Sequence, residues 1–209
     1  SGLDVRPHPH IGLSTVTYLF QGAIRHKDTL GVERDITPGA LNLMTAGRGV
    51  AHSERTPPDV RAAGGPVWGL QAWLALSRTD EACEPSFRHV PAAELPATEA
   101  DGVRLKLILG SGFGMTAPVE TSLPAFYADV GLDFGARIEV PAFGPERAIY
   151  VASGAVEIDG VRIEAGRLEL ARNEIRLSDF LDQLGEMFRF QAEAKGLAFR
   201  FTRPTRLPE

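Results

Sequence analysis

The chain has 209 residues, of which 44% are hydrophobic and 23% charged, ordinary values for a globular protein that buries its own core. Its net charge of −5 argues against direct nucleic-acid binding, which depends on a positively charged surface. The single cysteine, Cys83, excludes an intramolecular disulfide and a multi-cysteine metal site. We find no apolar run of membrane-spanning length and no signal peptide, so the sequence predicts a cytoplasmic protein without membrane contact.

The 22 glycines and 15 prolines favour many turns, and the segments between them are rich in β-branched and aromatic residues. In chain order, the predicted strands are Ser14–Phe20, Ala23–Asp28, Leu41–Thr45, Val67–Leu76, Arg104–Leu109, Tyr127–Leu132, Arg137–Val140, Ala148–Val151, Ala155–Ile158 and Arg167–Leu170. Short strands at this spacing predict an all-β sandwich or barrel. Beyond them, Ser178 can cap a short helix that ends before Gly196, and a further strand follows.

A short internal repeat links the two halves of the chain. The segment Tyr18–Ile24 (YLFQGAI) matches Tyr150–Val156 (YVASGAV), and in each copy a second glycine, Gly39 or Gly166, precedes an alternating apolar strand. Two copies of one β unit predict two similar barrels in tandem. We therefore predict an N-terminal barrel over residues 1–90, a C-terminal barrel over 103–171, and a helix–strand segment over 172–209.

Three of the five histidines fall into two pairs with the spacing of a strand. His8 and His10 are separated by one residue, and His52 is separated by one residue from Glu54. Because side chains at i and i+2 of a strand share one face, neighbouring strands can bring three imidazoles and one carboxylate together. That donor set suits Fe(II), Mn(II), Ni(II), Cu(II) or Zn(II). The alternative is two unrelated surface pairs.

Other chemistry-bearing residues receive structural interpretations. His26 and Asp28 also share one face of a predicted strand, and a solvated face is favoured over a position behind a metal ligand. His89 stands alone and is interpreted as structural or exposed. Trp68 and Trp73 are predicted to pack in the core or against the barrel.

Two long strings of residues resemble the pirin family of the cupin superfamily. They are Pro7–Tyr18 (PHPHIGLSTVTY) and Met44–Glu54 (MTAGRGVAHSE), and Gly69–Trp73 (GLQAW) is a shorter third match. The resemblance runs from Arg6 to about Ala171 and implies two tandem cupin barrels, the second metal-free and incomplete. It also implies one metal ion, usually iron, with the ligands His8, His10, His52 and Glu54.

The resemblance implies two kinds of function. Some family members resemble quercetin 2,3-dioxygenases, which open flavonol rings with O2, and this favours Fe(II) as the metal and a flavonol-like substrate. Many members carry a glutamate at the position of Ser14; if that glutamate is the catalytic base, then in this chain either Glu54 serves as both ligand and base or the activity is absent. Other members resemble metal- or redox-sensing regulators that bind a protein partner. An incomplete barrel also leaves an open strand edge, through which a homodimer can form.

Residues 178–209 resemble a different class of protein. The run Phe188–Leu197 (FRFQAEAKGL) is similar to the segment that joins the dimerisation helices to the ATP-binding domain in sensor histidine kinases. This segment contains neither a phospho-acceptor histidine nor a nucleotide-binding box, so kinase activity is not predicted. A third interpretation follows, in which the barrel is the sensor part of a signalling fusion.

Overall fold

A computed structural model describes residues 2–140, 147–166 and the backbone of 168–171, and the regular structure of these residues is almost entirely β. These residues form seventeen strands and a single short helix, which confirms the all-β prediction. The helix predicted after Ser178, and the strand that follows it, lie outside the described residues. Within the described part, no helix is long and apolar enough to cross a membrane.

The chain divides into two compact units, residues 1–141 and residues 142–209. Two four-stranded antiparallel sheets form the body of the first unit. In spatial order, sheet A consists of β1 (Asp4–His10), β6 (Val50–Arg55), β3 (Ile24–Asp28) and β4 (Glu33–Ile36). Sheet B consists of β7 (Trp68–Ala75), β2 (Leu13–Gln21), β5 (Leu41–Thr45) and β8 (Ser86–Val90). The helix α1 (Pro58–Ala63) lies between β6 and β7 in the chain.

The two sheets meet through side chains that point into the space between them. The side chain of Gln71 in β7 hydrogen-bonds that of Glu54 in β6. The ring of Phe87 in β8 stacks on that of His26 in β3, with centroids 4.5 Å apart. An apolar cluster also joins the sheets, and it contains Leu19, Ile24, Ile36 and Ala40. Sheets A and B therefore enclose an interior that combines an apolar cluster with buried polar groups.

The outer face of sheet B packs on a third antiparallel sheet. This sheet consists of β13 (Tyr127–Leu132), β10 (Val103–Leu109) and β9 (Ala97–Ala100). The core cluster between them contains Val16, Tyr18, Leu41, Leu43, Val90, Leu95, Ile108, Leu109 and Val119. The hydroxyl of Tyr18 donates a hydrogen bond of 2.8 Å to Asp129 of β13. A small hairpin, β11 (Ser111–Gly112) and β12 (Met115–Thr116), completes the described strands of this unit.

The second unit repeats a local feature of the first. Its described strands are β14 (Arg147–Tyr150) paired with β17 (Leu168–Ala171), and β15 (Ala155–Ile158) paired with β16 (Val161–Glu164). The N–H of Gly166 donates to the carbonyl of Val151 at 2.9 Å, as the N–H of Gly39 donates to the carbonyl of Leu19 at 2.9 Å. The two copies of the sequence repeat thus make the same backbone hydrogen bond.

One predicted strand is wrong. Residues 137–140 form no strand in the described structure, although Arg137–Val140 alternates as a strand would. The described sheets do not include this segment, and alternation of residue types alone does not place a segment in a sheet. Pro141, which follows, has no N–H group to continue a ladder.

Candidate metal centre

The register of sheet A places the predicted ligands on one face. His8 in β1 lies directly opposite His52 in β6, and Val5 lies opposite Glu54. Two residues of β1 separate Val5 from His8, but only one residue of β6 separates Glu54 from His52. The extra residue in β1 forms a β-bulge. Because one added residue reverses the alternation of faces, the bulge turns His8 and His10 toward the barrel interior.

Three imidazole rings converge in that interior. Nε2 of His52 lies 3.0 Å from Nε2 of His10 and 3.1 Å from Nε2 of His8. His10 and His52 are buried, with exposed fractions of 7% and 2%, whereas His8 is partly exposed. Three nitrogens that meet in this way form a group capable of holding a metal ion.

Burial favours the neutral form of these imidazoles. Burial, together with repulsion from the neighbouring histidines, lowers the pKa of His52 to about 3. Burial and then repulsion from His8 also lower the pKa of His10. A neutral imidazole carries the lone pair that binds a metal, so both residues are in their ligating form at neutral pH.

A hydrogen bond shows which nitrogen of His8 faces the cluster. Nδ1 of His8 lies 2.9 Å from the carbonyl oxygen of Arg6, and because a carbonyl can only accept, Nδ1 carries the proton. In neutral His8, Nε2 therefore directs a lone pair at His52. A divalent cation is the kind of group that accepts several imidazole lone pairs at one point. The residues present thus fit a divalent transition metal.

Glu54 lies beside this group. It is buried, and its carboxylate falls within 4.8 Å of the ring nitrogens of His52 and His26, which form a second possible ligand group. Nε2 of Gln71 donates to Oε1 of Glu54 at 2.8 Å and to the hydroxyl of Thr17 at 3.0 Å. Burial raises the pKa of Glu54, while the hydrogen bond from Gln71 opposes that rise. Glu54 as a fourth ligand stays a prediction.

The structure corrects the interpretation of His26 and Asp28. His26 is only 3% exposed and the side chain of Asp28 is fully buried, so they do not form a solvated strand face. The reason is the position of β3, which lies between β6 and β4, so its inward face is covered by sheet B. The interpretation of His89 as a structural residue agrees with its contact, because its Nδ1 donates to the side-chain oxygen of Asn42 at 2.7 Å.

The structure also corrects the predicted packing of Trp68 and Trp73. Trp73 is 62% exposed, and its ring meets that of His10 edge-on with centroids 5.4 Å apart. Trp68 is 38% exposed and lies against Phe20. Both belong to β7, an edge strand of sheet B, where side chains stay accessible to solvent; the Trp73 ring faces the histidines, whereas the Trp68 ring lies beside Phe20 on the outer face. Trp73 consequently borders the site.

Ser14, at the position where the resemblance implies a glutamate in many relatives, lies away from the histidines. It alternates along β2 with Val16 and Tyr18, whose side chains belong to the core on the outer face of sheet B. Its hydroxyl donates to Thr45 at 3.0 Å. The serine at this position therefore removes no base from the histidine cluster.

Sequence reasoning missed Gln71, the hydrogen-bond partner of Glu54. Gln71 alternates with Trp73 on β7, and both face the interior between the sheets. The signal was present in the short string Gly69–Trp73, because residues two apart on a strand share a face.

Comparisons with known proteins give the family of this chain. A family model described as Pirin matches residues 2–74, which contain all four predicted ligands. A pirin-like protein of Caulobacter vibrioides is 49% identical over 158 residues, covering 75% of this chain and 54% of the relative. The chain belongs to the pirin family. Human pirin is 37% identical over 153 residues, covering 72% of this chain and 51% of the human protein.

A solved structure supports the same fold assignment for this pirin-family chain. The crystal structure of quercetin 2,3-dioxygenase from Acinetobacter baumannii matches it with a TM-score of 0.72 and 32% identity. That match covers 84% of this chain and 57% of the solved one. The chain spans about half the length of the curated relatives it matches.

Proposed function

We propose that this pirin-family chain holds one divalent transition metal at His8, His10, His52 and Glu54, and that Fe(II) is the favoured ion. We further propose that it is a dioxygenase of the quercetin 2,3-dioxygenase type, with a flavonol-like substrate and O2. The observation that carries the proposal is the convergence of three Nε2 atoms at 3.0 and 3.1 Å. The likeness to the Acinetobacter baumannii enzyme supports the reaction type.

The chain's own residues have distinct roles in this reaction. When bound, a redox-active metal supplies the Lewis acidity and electron transfer that a flavonol and O2 require. Glu54 accepts the proton of the flavonol hydroxyl, and burial raises its pKa in the direction that makes it a stronger base. Gln71 holds Oε1 of Glu54, so the proton goes to Oε2. Trp73, exposed beside His10, offers an aromatic face to a planar substrate.

Elemental analysis combined with quercetin-dependent O2 uptake tests this function. We expect the iron-loaded protein to contain about one metal per chain and to consume O2 when quercetin is added. His52→Ala is expected to lose both properties. The matched control is His89→Gln, which replaces a histidine bonded to Asn42 on the strand pair β5–β8 and is expected to keep both.

The outcomes separate the proposed enzyme from its alternatives. If His52→Ala binds metal with unchanged affinity, the proposed ligand set is wrong. If the wild-type protein binds metal but consumes no O2 with quercetin, and instead binds a protein partner in a metal-dependent manner, the regulatory alternative replaces the dioxygenase.

A further inference from the structure

We propose that Asp28 and His26 are positioning residues that set the tautomer of His52, so that its Nε2 lone pair faces His8 and His10. The inference deepens the proposed metal site and rests on it. Three buried side chains form a continuous hydrogen-bonded series. Nε2 of His26 lies 2.8 Å from Oδ2 of Asp28, and Nδ1 of His26 lies 3.2 Å from Nδ1 of His52.

The series begins at the carboxylate of Asp28, which is oriented by the hydrogen bonds that it accepts. Oδ1 of Asp28 accepts the backbone N–H groups of Leu30 at 2.9 Å and Val32 at 3.1 Å. Backbone amides can only donate, so they orient the carboxylate from the turn between β3 and β4. The side chain is fully buried, which leaves Oδ2 directed at His26. A carboxylate oxygen accepts, so Nε2 of His26 is the donor in this hydrogen bond.

The proton positions then follow along the series. A neutral His26 with its proton on Nε2 has a lone pair on Nδ1, and this lone pair accepts the Nδ1–H of His52. His52 consequently has no proton on Nε2, the atom that lies 3.0 and 3.1 Å from its two partner nitrogens. The opposite tautomer would direct an N–H at the lone pairs that a metal needs.

The ring of His26 is held in the required plane by packing. It stacks on Phe87 with an interplanar angle of 26° and is only 3% exposed. A metal-bound histidine usually donates its other N–H directly to a carboxylate or carbonyl, and loss of that outer partner costs roughly 10- to 100-fold in metal affinity. In this chain a second histidine is inserted between the ligand and the carboxylate.

The variant Asp28→Asn tests the inference with almost no change of shape. The asparagine Oδ1 can still accept from Leu30 and Val32, but its Nδ2 donates to His26. His26 then carries its proton on Nδ1, donates to His52, and places the His52 proton on Nε2. The matched control is Asp35→Asn in β4, which removes a carboxylate bonded to Arg25 and leaves the series intact.

Two readouts decide the outcome. The ¹⁵N chemical shifts of labelled histidine side chains report the His52 tautomer in the metal-free protein, and competition with a chromophoric chelator measures the affinity for Zn(II). We expect Asp28→Asn to move the His52 proton from Nδ1 to Nε2 and to weaken Zn(II) binding roughly 10- to 100-fold. Asp35→Asn should change neither quantity. A loss of affinity without a change of tautomer would overturn the proposal, because it would show a merely structural role.

A second variant covers the case in which Asp28→Asn does not fold. His26→Phe retains an aromatic ring for the stack on Phe87 but removes both nitrogens, and a comparable loss of Zn(II) affinity is expected. If Zn(II) instead moves the Nδ1 shift of wild-type His26 to a metal-bound value, His26 is itself a ligand and the proposal fails. If the wild-type protein binds no Zn(II), the proposed metal site is wrong. The tautomer measurement on the metal-free protein still tests whether Asp28 and His26 set the tautomer of His52.

Discussion

At the scale of single residues, burial decides the chemical state of the candidate metal centre. His52 combines an exposed fraction of 2% with a strongly lowered pKa, whereas Glu54, also buried, has a raised pKa. Both shifts have the same cause, because burial disfavours the charged form of either group. The site therefore presents neutral imidazoles beside a carboxylate with increased basicity.

These shifts predict how the metal-free protein responds to acid. The unfolded chain takes up a proton at His52 near pH 6.5, but the folded chain does so only near pH 3. Because the unfolded state binds more protons in this window, the free energy of unfolding should fall as the pH drops from 6.5 toward 3. His10 acts in the same direction, and Glu54 opposes it at pH values above 4.5.

Urea denaturation in the presence of a chelator, repeated across that pH range, measures this dependence. The variant His52→Asn should show a shallower fall in the free energy of unfolding, since a histidine with a strongly lowered pKa is gone. An identical slope in the wild type and the variant would contradict the assignment of the effect to His52.

Gly47 gives a second prediction at the residue scale. Its φ of 48° is left-handed, and a Cβ built there would overlap the carbonyl of Cys83. Gly47→Ala should lower the free energy of unfolding by about 3 kcal/mol, from backbone strain and overlap together. Gly114→Ala is the control, because Gly114 has a φ of 74° and open space around its Cβ position. We expect it to cost about 1 kcal/mol. If chemical denaturation shows the same loss of unfolding free energy for both variants, the chain around residue 47 relieves the overlap and the prediction is wrong.

At the scale of elements, strand register and one bulge build the site. The bulge in β1 brings His8 opposite His52, and the pairing of β3 with β6 places His26 opposite Glu54. The proposed ligands and the proposed positioning residues therefore come from three neighbouring strands of one sheet. Sheet B contributes Gln71 and Phe87 from the other side.

A hydrogen bond between β2 and β13 gives a prediction for how the sheets hold together. Tyr18 is 3% exposed, and both burial and the neighbouring Asp129 raise its pKa, so its hydroxyl stays protonated and donates. Tyr18→Phe should lower the free energy of unfolding by about 1.5 kcal/mol, because the acceptor is charged. Tyr127→Phe is the control, since it removes a nearby hydroxyl and keeps the Tyr18–Asp129 bond. A thermal or urea denaturation in which both variants lose the same amount would refute the role of this bond.

At the scale of the whole molecule, the chain consists of two compact units that share one local pattern. Gly39 and Gly166 make equivalent hydrogen bonds after equivalent strands. The five histidines all belong to the first unit, so the proposed metal site is confined to it. The second barrel of the predicted pair, with its boundaries at 103 and 171, stays a prediction.

This confinement predicts that a fragment of residues 1–141 retains the metal site. All four predicted ligands, the positioning residues and Gln71 lie within the unit that ends at residue 141. We expect the fragment to fold and to bind Zn(II) with the affinity of the full chain, measured by chelator competition. A tenfold or greater loss of affinity in a folded fragment would mean that residues beyond 141 complete the site.

Local periodicity and residue type were enough to predict part of this molecule. Leu41–Thr45, Tyr127–Leu132 and Ala155–Ile158 are strands with the predicted bounds. The repeat, with its two glycines, could be read directly from the chain. The pairing of His8 with His10, and of His52 with Glu54, followed from the two-residue period of a strand.

The sequence by itself determined part of the strands, the repeat and which residues share a face, because these depend on neighbours in the chain. Only the tertiary structure decided which face is inside, since that depends on the partner strand and the opposing sheet. This is why His26 was interpreted as solvated although it is buried behind His52, and why Trp73 was predicted to pack in the core or against the barrel although it lies at an open edge. The same dependence on partners explains why Arg137–Val140 alternates like a strand without forming one.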